Sequence, residues 1–261
     1  MSHFRRVSIL ARGDDAEPAR ARLLALAPAG IEELDAGDAV ELAAYVPLER
    51  VDALLVELPD AVVTPVAEGW EEAWRSFHHP ATAGGLWLGP PWETPPDPDR
   101  AVVVDPGRAF GTGAHPTTRL CVELLAATTG RGSLLDVGCG SGVLAIAAAR
   151  LGFAPVLGVD LDPVAVETTR ANVLANGVSV EARLLDAETQ PLPAVDAVVA
   201  NVLLRPVEAI LSRLDAAEAI TSGYLVGERP AHDGWDHVES AALDGWAADR
   251  FRRRRRSGAT V

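Results

Sequence analysis

Gly138, Gly140 and Gly142 follow the apolar run Leu134-Leu135-Asp136-Val137 and precede the Ala-rich stretch Val143 to Leu151. This order predicts a strand, a tight glycine turn and a helix. Glycine lets backbone N–H groups approach a ligand closely, and the start of a helix favours negative charge. A dinucleotide fingerprint, G-x-G-x-x-G, would need glycine at position 143, where the chain has Val143. The pattern is instead G-x-G-x-G. It suits a ligand that lays an amino-acid carboxylate, rather than a pyrophosphate, against the turn.

Four further signals lie at spacings that suit the same ligand. Asp160, in Gly158-Val159-Asp160-Leu161-Asp162-Pro163, stands 22 residues beyond Gly138. At the end of a second parallel strand its carboxylate would lie beside the first turn, able to accept from both hydroxyls of a ribose. Asp162 is the better cap for a helix opened by Pro163, which leaves Asp160 for the ligand. Asp186, in Leu185-Asp186-Ala187 after a third strand, could accept from an adenine amino group or could simply organise a surface turn. Asn201 closes a fourth strand, and its side-chain carbonyl could accept from an amine being methylated or contact the cofactor. The loop from Asp105 to Thr118 sets Phe110 among glycines, as a flap over a flat adenosine would require. Thr117 or Thr118 could cap the next helix and offer hydroxyls to the ligand. His115 is either a base or a loop histidine bonded to the backbone. S-adenosylmethionine joins an amino-acid carboxylate, a ribose and an adenine, and is the cofactor these positions predict; no metal site is expected.

The elements that must position these residues are legible from periodicity. From residue 101 onward strand and helix alternate, with predicted strands at 133–137, 156–159, 178–185, 196–201 and 219–226. Helices are predicted at 119–127, 143–151, 163–176 and 205–214. Apolar strands between helices mean a parallel sheet covered on both faces. Beyond residue 226 the pattern fades. The first 66 residues read β-α-β-β-α-β, the order of a ferredoxin-like α+β unit. Asp14 and Asp15 are its first cap candidates, and Leu23, Leu24 and Leu26 give its first helix an apolar face. Trp70, Trp74 and Phe77 share one face of a helix over 67–80. A Pro- and Gly-rich connection with a strand at 85–88 then opens a second domain, 81–261.

Composition narrows the class. The chain has 261 residues and a formal charge of −14, and every basic residue that is not histidine is arginine. Acidity of this size argues against a nucleic-acid backbone as the main partner and favours a small molecule or a basic protein. Apolar residues make up 48%, yet none of the runs reaches membrane-spanning length. Two cysteines, Cys121 and Cys139, cannot build a disulfide framework or a four-ligand zinc site, so a reducing cytoplasm is expected. The basic end, Arg250 and Arg252 to Arg256, reads as a solvated tail, with contact to RNA as the alternative.

On these motifs the chain resembles the PrmA-type methyltransferases of ribosomal protein L11. Phe110 to Thr118 is the most specific mark; Gly138 to Gly142, Asp160 and Asn201-Val202-Leu203 follow at the family's spacing. The pattern from Trp70 to Pro80 is similar to the family's inter-domain segment. The resemblance covers residues 68–205 well and the first 60 in outline. In the last 40 residues Ser222-Gly223 and Trp246 fit only loosely. The resemblance implies a Rossmann-like class I methyltransferase domain behind a small N-terminal domain that presents the substrate. It also implies cofactor contacts from Thr117 or Thr118, Gly138, Asp160 and Asn201, beside which the turn's own Gly140 is expected to approach the ligand, and transfer to lysine and N-terminal amines of a ribosomal protein by a cytoplasmic monomer. Two rival classes stand beside it. One is a methyltransferase for another protein lysine or a small amine; the other is a non-catalytic cofactor-binding partner in ribosome assembly.

Overall fold

A computed structural model describes residues 4–27, 31–66, 79–105 and 113–254. The predicted aromatic stripe of Trp70, Trp74 and Phe77, the loop residue Phe110, and Arg255 and Arg256 lie outside the described residues. The chain divides into two compact units, Met1–His79 and Pro80–Val261.

The first unit runs β1 (Phe4–Ala11), α1 (Ala16–Leu26), β2 (Glu32–Asp35), β3 (Val40–Pro47), α2 (Val51–Glu57) and β4 (Val62–Pro65). Its strands pair antiparallel in the order β2-β3-β1-β4, which is the ferredoxin-like arrangement. Val7, Leu23, Leu42, Ala44 and Leu54 form its core. Arg6 on β1 reaches across the sheet to Glu32 (2.9 Å) and Glu41 (2.8 Å). Asp15 does occupy the N-cap of α1, but its side chain makes no cap hydrogen bond. A capping side chain folds back from an extended residue, and Asp15 is already helical because a 3-10 turn, Gly13–Asp15, leads into the helix. The second helix is also entered through a 3-10 turn, Leu48–Arg50, so Pro47 ends β3 rather than starting the helix.

The second unit opens with a small sheet, β5 (Ala81–Ala83), β6 (Leu86–Gly89) and β7 (Ala101–Val103), where the composition predicts one strand. The alternation then follows: α3 (Pro116–Ala127), β8 (Leu134–Val137), α4 (Val143–Arg150), β9 (Val156–Asp160), α5 (Pro163–Asn176), β10 (Glu181–Leu184), β11 (Val195–Asn201), α6 (Leu204–Arg213) and β12 (Ala216–Leu225). Two strands that the periodicity does not reveal complete it, β13 (Trp235–Leu243) and β14 (Trp246–Arg253). The sheet order is β10-β9-β8-β11-β12-β14-β13; β14 runs antiparallel to both neighbours and the other pairs are parallel. Strand order reverses at β8, so a crevice opens over the carboxyl ends of β8 and β11, where open α/β sheets bind ligands. Among the described residues no helix is long and apolar enough to cross a membrane.

The basic end is not a solvated tail as far as Arg254. Arg250 pairs with Glu239 (2.8 Å), Arg252 with Glu218 (3.5 Å) and Arg254 with Asp236 (2.6 Å), while Arg253 lies over the Trp235 ring. Its charges are the cross-strand partners of β12 and β13.

Two buried asparagines on α5 hold the chain where it enters the segment before α3. Asn176 bonds both the N–H and the C=O of Val103 (2.9 and 2.6 Å). One turn earlier, Asn172 bonds the N–H and C=O of Asp105 (3.1 and 3.2 Å) and donates to the Ser141 carbonyl (2.8 Å). Side-chain amides thus take the place of a neighbouring strand, and one of them ties this segment to the glycine turn.

Candidate active site

The carboxyl ends of β8, β9, β10 and β11 bring four of the sequence-predicted positions to one edge of the sheet. At the end of β8 the N–H groups of Gly138 and Cys139 donate to the Val159 carbonyl (2.9 and 3.0 Å). The turn then folds through Gly138 at φ +72°, where an added Cβ would lie 2.5 Å from Val202 Cγ1. Gly223, at φ +103° in a bulge of β12, meets the same residue from the other side: a Cβ there would be 2.2 Å from the Val202 carbonyl oxygen. Val202 also donates its N–H to Ser222 (3.1 Å). Glycine at these two positions lets Asn201-Val202-Leu203 sit between the glycine turn and β12.

Asp160 ends β9 and is half-buried. Its Oδ2 accepts from the Gly140 N–H and its Oδ1 from the Asp162 N–H, both at 3.0 Å. Asp162 caps α5 by accepting from Val164 N (2.8 Å), as its place before Pro163 predicts. The Asp160 carboxylate therefore faces the turn and braces its middle glycine.

Asp186 follows β10, and Leu185 N donates to the Asp160 carbonyl beside it (2.8 Å). Both carboxylate oxygens are engaged within its own turn, one by Glu188 N (2.9 Å) and the other by the Thr189 hydroxyl (2.7 Å). The Thr189 hydroxyl and then the Glu188 N–H hold its pKa below the usual carboxylate range. Of the two roles open from sequence, the observed bonds are those of a turn organiser.

The helix α3 is capped differently from expectation. Neither threonine is the cap: His115 is, with extended backbone, Pro116 at the first helical position, and Nδ1 accepting from Thr117 N (3.3 Å). Thr117 and Thr118 lie two and three positions past the cap, inside the first turn, and both are buried. The structure separates them. Thr117 Oγ1 is 2.7 Å from His115 Nδ1 and receives Asn201 Nδ2 at 3.1 Å, whereas Thr118 Oγ1 has no partner among the described residues. The Trp246 ring packs edge-on against His115, with centroids 5.1 Å apart. Burial pushes the His115 pKa down to about 4, so the imidazole is neutral near pH 7.

Asp136 lies just before the glycine turn, and motif reading assigns it no role. It is fully buried in β8, its Oδ2 accepts from Ala145 N (3.0 Å), and its Oδ1 has no partner among the described residues. Desolvation pushes its pKa up to about 7, opposed by the Ala145 bond and reinforced by the negative charge of Asp160. An acid inside an otherwise apolar, doubly covered strand is the sequence signal for such a residue, because burying it needs a reason. The edge as a whole offers paired carboxylates, positive-φ glycines at the start of α4 and a side-chain amide. That set fits a ligand with a cationic head and a hydroxylated middle.

Residues 37–254 match the model of the family described as Ribosomal protein L11 methyltransferase (PrmA). The ribosomal protein L11 methyltransferase of Yersinia pseudotuberculosis is 45% identical over 160 residues, 60% of this chain and 54% of that protein. That of Dechloromonas aromatica is 47% identical over 160 residues, 60% of this chain and 53% of that protein. The chain spans about half the length of these curated relatives. Among solved structures, a ribosomal protein L11 methylase from Lactobacillus delbrueckii subsp. bulgaricus superposes with a TM-score of 0.58 at 26% identity, covering 65% of this chain and 95% of that one. With the main sheet ordered as in a class I methyltransferase domain and the family model spanning most of its length, the chain belongs to the ribosomal protein L11 methyltransferase (PrmA) family.

Proposed function

We propose that this protein transfers methyl groups from S-adenosylmethionine to amines of ribosomal protein L11, namely lysine side chains and the N-terminal amine. The observation that carries the reading is the convergence of Gly138, Gly140, Asp160, Thr117 and Asn201 at the carboxyl ends of adjacent strands, in a chain of this family. The unit Met1–His79 bears none of these residues and is assigned to holding the protein substrate. The protein acts in the cytoplasm as a monomer, on a substrate whose basicity suits a chain of charge −14.

S-adenosylmethionine, when bound, supplies an electrophilic methyl group on a sulfonium sulfur. The glycine turn receives its amino-acid end. Asp136 Oδ1, the buried acceptor without a partner among the described residues, takes a donor there, and Asp160 takes the ribose. The acceptor amine must be neutral to react. A lysine with an ordinary pKa is about one part in 10³ neutral at pH 7, a cost near 4.6 kcal/mol, and an α-amine costs far less. A water-poor crevice beside a positive charge lowers that cost, so the main demand on the protein is placement. Asn201 is the residue that orients the amine. His115 is not its base: burial holds the ring neutral, but Nδ1 is already bonded to Thr117.

Asp136 gives the cofactor reading a pH signature. Binding a cationic donor beside this carboxyl favours its ionised form, so a proton leaves on binding. Affinity is expected to rise with pH, up to about tenfold per unit below pH 7, and to level off above it, while Asp136→Asn flattens the slope. Calorimetric titration in buffers of different ionisation enthalpy reads both; affinity independent of pH in the parent protein contradicts the assignment. The function itself is tested by incubating the purified protein with methyl-labelled S-adenosylmethionine and a bacterial lysate. A labelled band at the mass of ribosomal protein L11 is expected. Label in a different protein, in a small molecule, or nowhere contradicts the proposal in favour of one of its rivals.

A further inference from the structure

We propose that His115 is a positioning residue for the transfer: acting through the Thr117 hydroxyl, it fixes which end of the Asn201 amide faces the acceptor amine. The proposal rests on the function given above and deepens it.

The argument follows the hydrogen-bond directions. His115 Nδ1 accepts the backbone N–H of Thr117 at 3.3 Å, so Nδ1 is the unprotonated nitrogen and the ring proton is on Nε2. Thr117 Oγ1 lies 2.7 Å from the same nitrogen. With no proton on Nδ1, the hydroxyl must be the donor in that contact. Its single hydrogen is then committed, and towards Asn201, 3.1 Å away, Oγ1 can only accept. The amide group that meets it is therefore Nδ2–H. The relay Asn201 Nδ2–H to Thr117 Oγ1–H to His115 Nδ1 has one polarity throughout, and it leaves Asn201 Oδ1 with no protein donor among the described residues. An acceptor oxygen is what a neutral amine's N–H requires while its lone pair points at the methyl group. The reversed amide would present N–H against N–H.

Three features keep the relay in this state. The ring is held in place by its role as the cap of α3, with Pro116 fixing the next φ, and by the edge-on packing of Trp246. Val202, pressed between Gly138 and Gly223, fixes the backbone beside Asn201. Burial keeps the imidazole neutral across the physiological range.

The test uses the full chain, with methyl transfer from S-adenosylmethionine to purified ribosomal protein L11 as the activity. His115→Phe keeps a ring against Trp246 but has no acceptor. His115→Asn supplies an oxygen near the place of Nδ1. We expect His115→Phe to lower kcat by about 10- to 100-fold, with KM for the protein substrate and Kd for S-adenosylmethionine within about threefold of the parent; His115→Asn should recover most of the lost kcat. Combining His115→Phe with Thr117→Val should cost no more than the worse single change, because the two residues form one relay. A kcat within twofold of the parent in His115→Phe, an equally impaired His115→Asn, or additive losses in the double variant would overturn the proposal. So would parallel losses of melting temperature and cofactor affinity in His115→Phe, since those mark a purely structural cap. Nitrogen NMR of the labelled parent protein reads the tautomer with no substrate present: the proposal requires the proton on Nε2, and a proton on Nδ1 overturns it. An inactive parent protein with the Nε2 tautomer intact instead refutes the assigned reaction and supports the relay.

Discussion

Replacing Asp160 with alanine is expected to weaken S-adenosylmethionine binding by roughly 30- to 1,000-fold, a loss of about 2–4 kcal/mol. The carboxylate stands at the end of β9 facing the glycine turn, where it is assigned to both ribose hydroxyls. Each oxygen already accepts one backbone N–H, from Gly140 and from Asp162. Alanine therefore also releases the middle of the turn, and the protein without cofactor should lose about 1–2 kcal/mol of stability, a cost the position alone would not suggest. Asp160→Asn keeps acceptor capacity at one oxygen and should fall between the two in affinity. Calorimetric titration gives the dissociation constants and urea denaturation the stabilities. Unchanged affinity in Asp160→Ala contradicts the ribose assignment.

The second large effect concerns the division of labour between the two units. A truncated chain starting at Pro80 should bind S-adenosylmethionine within a few-fold of the full protein, because every assigned contact lies between Thr117 and Asn201. It should lose most of its methylation of ribosomal protein L11 if the ferredoxin-like unit has the substrate-holding role proposed for it. Side-by-side measurement of cofactor affinity and initial methylation rate separates the two effects. If the truncated chain is soluble, binds cofactor and methylates as fast as the full chain, the first unit does not recognise substrate.

The parallel part of the sheet was legible because its strands announce themselves. Leu134–Val137 and Val195–Asn201 are apolar runs set between helices that begin with Pro or Gly signals, and burial on both faces makes such runs continuous. The cap could be assigned to Asp162 from its place before Pro163 alone, and Asp160 does face the glycine turn. The last two strands were not legible, because their core is polar. Asp249 on β14 is buried and bonded to the Tyr224 hydroxyl, His237 and Ser240, and Arg229 lies 3.3 Å from it. Its partners come from β12, β13 and the turn between them, so no local window contains them. The arginines that follow look like a tail until Glu218, Asp236 and Glu239 are brought opposite them.

The site was read in the same uneven way. Gly138, Gly140, Asp160 and Asn201 meet at one edge because parallel strands put their carboxyl ends together. The roles within α3 did not follow from residue type. Ser, Thr, Asp and Asn are the usual caps, so Thr117 and Thr118 attracted that role, yet Pro116 at the first helical position shifts the cap to His115. Asp136 was hidden by its surroundings, being one acid in a strand whose burial is otherwise ordinary.

The central claim is the transfer itself, and intact-protein mass spectrometry of purified, unmethylated ribosomal protein L11 tests it most directly. After incubation with this protein and S-adenosylmethionine, L11 should gain mass in whole methyl steps, fragmentation should place them on lysine side chains or the N-terminal amine, and Asn201→Ala should slow the gain while leaving the protein folded. An L11 of unchanged mass, under conditions where calorimetry shows the cofactor bound to the full chain, would contradict the account.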